Sequence, residues 1–296
     1  MVNTIEISHI TKDYGNQRGV FDLSFAVRAG EVLGFLGPNG AGKTTTIRQL
    51  MGFIKPDRGS VMIRGLDCFK QADEIQRYVG YLPGEIAFME AMKGIEFIRF
   101  IARMKRMKGT GRADELIEMF ELDASGKIDK MSKGMKQKIG IVCAFMQDPE
   151  ILILDEPTSG LDPLMQNTFV ELILKEKERG KTILMSSHMF EEVEKTCDRT
   201  AIIRSGRLKT VEDIEKLRLG KKKVMEIQFA ENEMAEQFAM NVPGSQRQGK
   251  TVTAKVGKDL DAFIKQAGQY TVVDLSVRSQ SLEEFFMHFY GGEYHD

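Results

Sequence analysis

The sequence predicts an α/β protein in which a largely parallel sheet carries a glycine-rich loop, accompanied by an antiparallel β subdomain, a helical insertion and a small C-terminal α/β module. Three observations predict it. Four short runs, residues 32–36, 151–154, 182–185 and 201–203, are apolar without interruption, as strands buried on both faces are, and the chain between them is long enough for crossover helices. Residues 4–14, 20–27 and 60–64 alternate apolar and polar, the habit of half-buried strands expected to pair as an antiparallel sheet. Directly after the first buried run stands Gly37-Pro38-Asn39-Gly40-Ala41-Gly42-Lys43-Thr44-Thr45, followed by a helical run through Leu50, at the strand end where open α/β sheets bind their ligands.

The remaining elements follow from spacing. Within residues 91–120, Ile95, Ile98 and Ile101, and Phe97, Phe100 and Met104, recur at helical intervals, which predicts the insertion. Met89, Met92, Met104, Met107 and Met119 cluster there, either as core filling or as an adaptable surface for a partner helix. Lys216, Arg218, Lys221, Lys222 and Lys223 mark a boundary, so the expected domains are 1–215, with a helical subdomain at about 86–145, a linker at 216–224 and a C-terminal accessory domain at 225–296. That last domain shows strand patterns at 224–229, 251–256 and 271–277 and helical ones at 259–266 and 282–289, the latter opened by a capping box from Ser281 to Glu284.

Composition excludes several classes. The chain has 42 Lys+Arg against 43 Asp+Glu, a net charge of -1, so no global field holds it on nucleic acid. Its apolar stretches fall far short of the roughly 20 residues that a membrane-spanning helix needs. The first residues lack the basic and apolar regions of a signal peptide. Cys68, Cys143 and Cys197 are odd in number and widely spaced, as buried thiols of a reducing cytosol are.

The glycine-rich loop has the P-loop pattern. Its glycines let backbone N–H groups converge on phosphate oxygens, the helix N-terminus adds a positive dipole end, Lys43 reaches the terminal phosphates and the Thr44 hydroxyl holds Mg²⁺. Residues 151–154 end in Asp155-Glu156, two carboxylates at a buried strand end. Asp155 suits Mg²⁺ through water, and Glu156 suits the polarising of an attacking water. Ser132 reads as a helix N-cap before residues 139–146.

From about Ile5 to Leu208 the chain resembles the ATP-binding-cassette ATPases, on the P-loop, the Asp155-Glu156 strand end, Met131-Ser132-Lys133-Gly134-Met135 in place of the Leu-Ser-Gly-Gly-Gln signature, Ser159-Gly160-Leu161-Asp162, and His188 after Ser186-Ser187. The resemblance implies a P-loop NTPase (RecA-like) core and ATP hydrolysis with Mg²⁺. In that family Ser132 and Gly134 face ATP held by a second subunit, Asp162 lies in the loop crossing the dimer interface, His188 contacts the γ-phosphate and Tyr14 stacks on adenine. Bland readings stand beside these: a turn before the Pro163 helix for Asp162, a strand tyrosine for Tyr14. Lys133 replaces a glycine, either to add charge near a phosphate or as a solvated side chain at the interface. The implied partners are an integral-membrane permease and a second copy or a similar ATPase subunit, with the chain peripheral on the cytoplasmic face of the cell membrane and export favoured over import. One departure concerns Gly80-Tyr81-Leu82-Pro83-Gly84-Glu85, where Gly84 occupies the position of a Mg²⁺-touching glutamine. Glu85, a water, or weaker coupling are the alternatives, and a slow-turnover nucleotide-gated clamp is the rival function.

Overall fold

A computed structural model describes residues 2–89, 91–220, 222–257, 260–281 and 284. In chain order the elements are β1 (Asn3–Asp13), β2 (Gly19–Arg28), β3 (Val32–Leu36), α1 (Lys43–Leu50), β4 (Arg58–Ile63), β5 (Leu66–Asp67), α2 (Ala72–Ile75), β6 (Val79–Leu82), α3 (Gly94–Met104), α4 (Gly111–Met119), α5 (Lys133–Phe145), β7 (Ile151–Asp155), α6 (Pro163–Glu178), β8 (Thr182–Ser187), α7 (Phe190–Thr196), β9 (Arg199–Arg204), β10 (Arg207–Asp213) and α8 (Ile214–Gly220). Then come β11 (Lys223–Phe229), α9 (Asn232–Asn241), β12 (Gln246–Gln248), β13 (Thr251–Val256), α10 (Leu260–Ala267) and β14 (Val272–Ser279). The chain divides into two compact units, Met1–Ile214 and Glu215–Asp296.

In the first unit, β2-β1-β4-β5 form an antiparallel sheet, and β10-β9-β3-β8-β7-β6 form a second sheet that is parallel except for β10. Every residue of β3, β7 and β8 is buried, the reason these strands read as unbroken apolar runs. Their ends are level: Leu36 pairs with Ser187, and Asp155 with Ser186. Phe25 of the antiparallel sheet meets Phe35 of the parallel one with centroids 5.0 Å apart, inside a core that includes Ile5, Ile47, Leu50, Ile153 and Ile203. Burial pushes the Cys68, Cys143 and Cys197 thiols up to about 12, so all three are inert packing groups.

The helical insertion is two helices rather than one run, because α3 ends before Gly109 and α4 restarts at Gly111. Met89 and Met104 are exposed and Met92, Met107 and Met119 half-buried, so this cluster is not core filling. Arg112 of α4 reaches the fully buried Glu176 of α6 at 2.5 Å, and Glu176 also holds Lys181 at 2.5 Å and Arg179 at 3.0 Å. The stretch expected as a linker is helical through Gly220 in α8.

The second unit is a β-α-β-β-α-β module whose sheet order, β12-β13-β11-β14 and antiparallel throughout, is that of a split βαβ, ferredoxin-like fold. Phe238 of α9 lies 5.0 Å from Phe229 of β11 and 5.5 Å from Phe263 of α10, the centre of a separate core. Ser281 and Glu284 exchange reciprocal 3.0 Å hydrogen bonds, the capping box expected there. The helix expected over 282–289 lies outside the described residues apart from Glu284, as does Lys221 of the basic stretch and the start of the helix expected at 259.

Glu176 is fully buried against three cations, each of which keeps a second carboxylate, Glu115 for Arg112 and Asp148 for Arg179 and Lys181. Glu176→Ala is expected to cost the first unit about 1–3 kcal/mol, the cost of leaving buried polar groups short of one partner, read as a lower urea midpoint for that unit's transition.

Candidate nucleotide site

The site is built where β3, β7 and β8, adjacent in the order β3-β8-β7, end together. After β3 the chain turns through Gly40 and Gly42, whose φ of 77° and 112° only glycine adopts at no cost, and a Cβ on Gly42 would lie 2.7 Å from Val20. This folds the loop over the N-terminus of α1. Lys43, 5% exposed, donates to the carbonyls of Gly37 at 2.6 Å and Pro38 at 3.2 Å. Its ammonium also stands 3.0 Å from Glu156 Oε1, as a charge contact without the alignment of a hydrogen bond.

Asp155 is fully buried at the end of β7. Its Oδ1 accepts from Ser186 Oγ at 2.5 Å, and that same hydroxyl accepts the Glu156 N–H at 3.0 Å. Asp155 Oδ2 is buried without a partner. Glu156 leaves the strand in the left-handed region, φ 48°, which swings its carboxylate toward the loop. There Oε2 meets His188 Nδ1 at 2.7 Å. A carboxylate only accepts, so Nδ1 carries the proton and Nε2 is left free on a half-exposed ring.

A cavity of about 380 Å³ opens over this group, lined by Asn39 to Thr45, Glu156, Ser205, Gly206 and, at its rim, Tyr14, Gln17 and Arg18. Tyr14 is 56% exposed, so its ring is available to a ligand. The structure therefore brings Tyr14, the P-loop residues Gly37 to Thr45, Asp155, Glu156 and His188 together. It does not bring Ser132, Lys133, Gly134 or Asp162 to this cavity. Lys133 and Gly134 lie against the loop that leads to Asp162: a Cβ on Gly134 would stand 2.7 Å from the Gly160 carbonyl, and Lys133 donates to Ser159 at 2.9 Å. Ser132 caps α5, accepting from the Met135 N–H at 3.2 Å, and Asp162 caps α6, accepting from the Met165 N–H at 3.0 Å. Gly84 faces Asp155, since a Cβ there would lie 3.1 Å from Oδ2, whereas Glu85 is exposed and bonds nothing among the described residues.

Sequence reasoning missed Ser186, Gln137 and Glu192. Gln137 is buried on α5 and donates to the Pro157 carbonyl at 2.8 Å. Glu192 of α7 accepts from Ser187 Oγ at 2.6 Å behind His188. The serine pair closing an otherwise apolar strand was the one available signal for Ser186 and Ser187.

Residues 20–159 match the ABC transporter family. The chain is 34% identical to the bacitracin transport ATP-binding protein BcrA of Bacillus licheniformis, over 99% of each chain. The chain belongs to the ABC transporter ATP-binding proteins. It is 37% identical to the linearmycin resistance ATP-binding protein LnrL of Bacillus subtilis, over 69% of this chain and 67% of that one. A solved ATP-binding subunit of an ABC transporter superposes with a TM-score of 0.66 at 32% identity, covering 73% of this chain and 92% of that one. The protein is thus an ABC transporter ATPase subunit with a P-loop NTPase fold, which binds and hydrolyses ATP to drive transport. ABC ATP-binding subunits work with membrane permeases. Among the described residues no helix is long and apolar enough to cross a membrane.

Burial pushes the Glu192 carboxyl up to about 7 from the ordinary 4.5, against the Ser187 hydrogen bond that favours its charged form. Below 4.5 the group is neutral in folded and unfolded chains alike; between 4.5 and 7 the unfolded chain releases the proton that the folded one keeps, so stability falls as pH rises and levels off above 7. Relative to Glu192→Gln, the wild type is expected to lose roughly 3 kcal/mol across that window, measured by denaturant titration at pH 4.5 and pH 8.

Proposed function

We propose that this subunit hydrolyses ATP in the cavity at the end of β3 with Glu156 as the group that polarises the attacking water, and that the resulting dimer closure and reopening drive export through a separate integral-membrane permease. The observation that carries the site reading is Glu156 itself, gripped between Lys43 and His188 one residue after a buried aspartate. Tyr14 offers adenine a flat π-surface at the cavity rim. The loop N–H groups and Lys43 take the phosphates. Phosphate oxygens compete with the Gly37 and Pro38 carbonyls and with Glu156 for the Lys43 ammonium, and as the ammonium turns to them it frees Glu156 Oε1 for water. His188 keeps its Nδ1–H on Glu156, and its Nε2 would donate to the γ-phosphate only with the ring doubly protonated, since a bare ring nitrogen and a phosphate oxygen are both acceptors.

The buried, unpartnered Asp155 Oδ2 fits a water ligand of Mg²⁺, and Thr44 at the first turn of α1 fits a direct one. Bound there, Mg²⁺ would neutralise charge on the transferred phosphate.

Ser132, Gly134 and Asp162, outside the cavity, suit contact with the nucleotide and chain of a second cassette, either an identical copy or a similar ATPase subunit. Bacitracin transport and linearmycin resistance, in the relatives' names, support export, and the permease places the chain peripherally on the cytoplasmic face of the membrane. The slow-turnover clamp remains a second reading on one observation: Gly84 brings no side chain to Asp155, and Glu85 does not replace it.

Mg²⁺-dependent hydrolysis by the purified protein separates the two. Glu156→Gln is expected to lower kcat by about 10²–10⁴-fold while ATP binding and ATP-dependent dimerisation persist. A wild type that dimerises on ATP without turnover would overturn independent hydrolysis and leave either the clamp or an engine that depends on its membrane partner. Tyr14→Ala is expected to raise KM about 10-fold, the loss of a stacking contact worth about 1–3 kcal/mol, with kcat kept; an unchanged KM removes Tyr14 from the site.

A further inference from the structure

The segment that begins α5 and the segment that follows Glu156 are far apart in sequence and in direct contact in space. Lys133 Nζ donates to Ser159 Oγ at 2.9 Å, and its aliphatic stem lies over Gly160, where a Cβ would stand 2.9 Å from Lys133 Cγ. Gly134 approaches the Gly160 carbonyl so closely that a Cβ would lie 2.7 Å from it. One turn further along α5, Gln137 donates to the Pro157 carbonyl at 2.8 Å. The loop it grips is itself tight: the Ser159 N–H bonds the Glu156 carbonyl at 3.1 Å and the Leu161 N–H bonds the Thr158 carbonyl at 3.1 Å. The start of α5 is thus linked to Glu156 by two routes outside the cavity lining, through Lys133 and Ser159 and through Gln137, whose amide also lies 3.4 Å from the Glu156 carbonyl.

Lys133 and the Gly160 beneath its stem are the exposed members of this junction. The lysine ammonium has Ser159 as its one side-chain partner among the described residues, with no carboxylate against it. The side chain lies along the loop of its own chain, which makes the substitution of glycine by lysine in the signature a matter of attachment rather than of charge alone.

We infer that Lys133 is a positioning residue that ties the start of α5 to the loop carrying Glu156, so that what binds at Ser132 and Gly134 sets the Glu156 carboxylate of the same chain. The inference rests on the reading of Glu156 and of the Ser132–Gly134 face given above. Nucleotide held by a second subunit against Ser132 and Gly134 would then act on hydrolysis in this one, and Lys133 would change kcat and the dependence of rate on ATP concentration rather than the binding of ATP in its own cavity.

The test compares Lys133→Ala, Lys133→Gln, Ser159→Ala and the Lys133→Ala/Ser159→Ala pair in steady-state ATP hydrolysis, with thermal midpoints for each variant. Lys133→Ala is expected to lower kcat 5- to 10-fold and to flatten the sigmoidal dependence on ATP, with KM within twofold of wild type and an unchanged midpoint. Lys133→Gln keeps a donor without the charge and is expected to recover most of the rate. Ser159→Ala should match Lys133→Ala, and the double variant should be no worse than either. If Lys133→Gln is as slow as Lys133→Ala while Ser159→Ala is normal, Lys133 acts by charge and the tether is wrong. Wild-type rates in Lys133→Ala overturn it outright. Loss of turnover in Glu156→Gln, measured beside these, reports on the site reading separately.

Discussion

Burying the Lys43 ammonium is the constraint around which the first unit is arranged. At 5% exposure it is costly without acceptors, and it has two backbone carbonyls and one carboxylate. Supplying them requires a loop that turns its own carbonyls inward, which glycines in the left-handed region permit, and a strand end that brings Glu156 across. The order β3-β8-β7 meets the second requirement. One strand separates the lysine's strand from the carboxylate's, and that strand contributes Ser186 and His188 to the gap between them. The ligand that displaces this arrangement must offer the lysine more negative charge than Glu156 does, which a polyphosphate provides.

Much of this was legible because chemistry at strand ends leaves a local signature. The P-loop, Asp155-Glu156 and His188 each follow an apolar run, and the run itself says that they emerge from a buried sheet. The parallel strands were recognisable for the same reason, since burial on both faces removes polar residues. What was not legible depends on pairs distant in sequence. Nothing near Gln137 says that it reaches Pro157, and nothing near Lys133 says that it reaches Ser159. Arg112 and Glu176 likewise read as ordinary charges on helix faces until the fold buries them together. The methionines of the insertion were open for a different reason: their clustering in the sequence does not show whether anything covers them, and Met89, Met92 and Met107 lie outside α3 and α4.

Gly84 shows how a missing side chain is read. The backbone there passes close enough to Asp155 that any Cβ would press on its carboxylate, 3.1 Å from Oδ2. The position is thus adjacent to Asp155 by backbone path, whatever residue occupies it. Glycine leaves Oδ2 buried and unpartnered instead of hydrogen-bonded to a neighbouring amide. An unpaired buried carboxylate oxygen is costly in isolation, and its persistence argues for a ligand that satisfies it during the cycle rather than for an inert structural role.

Glu156 carries the remaining tension. In a strand, successive side chains point to opposite faces, so a regular continuation of β7 would send Glu156 away from the side that Asp155 occupies. The chain instead enters the left-handed region at Glu156, a conformation that costs a non-glycine residue roughly 1–2 kcal/mol. Three contacts offset it: the Ser186 hydroxyl takes its N–H, and Lys43 and His188 hold its two oxygens. Its carbonyl anchors the Ser159 turn, so the same strained residue aims the carboxylate and starts the loop that α5 grips. A residue held by that many independent contacts in a sparsely populated conformation is placed for its side chain's position and not for the strand's stability. The strain then explains why the sequence puts two acids in succession at this strand end: Asp155 completes the sheet, and Glu156 departs from it toward Lys43 and the cavity.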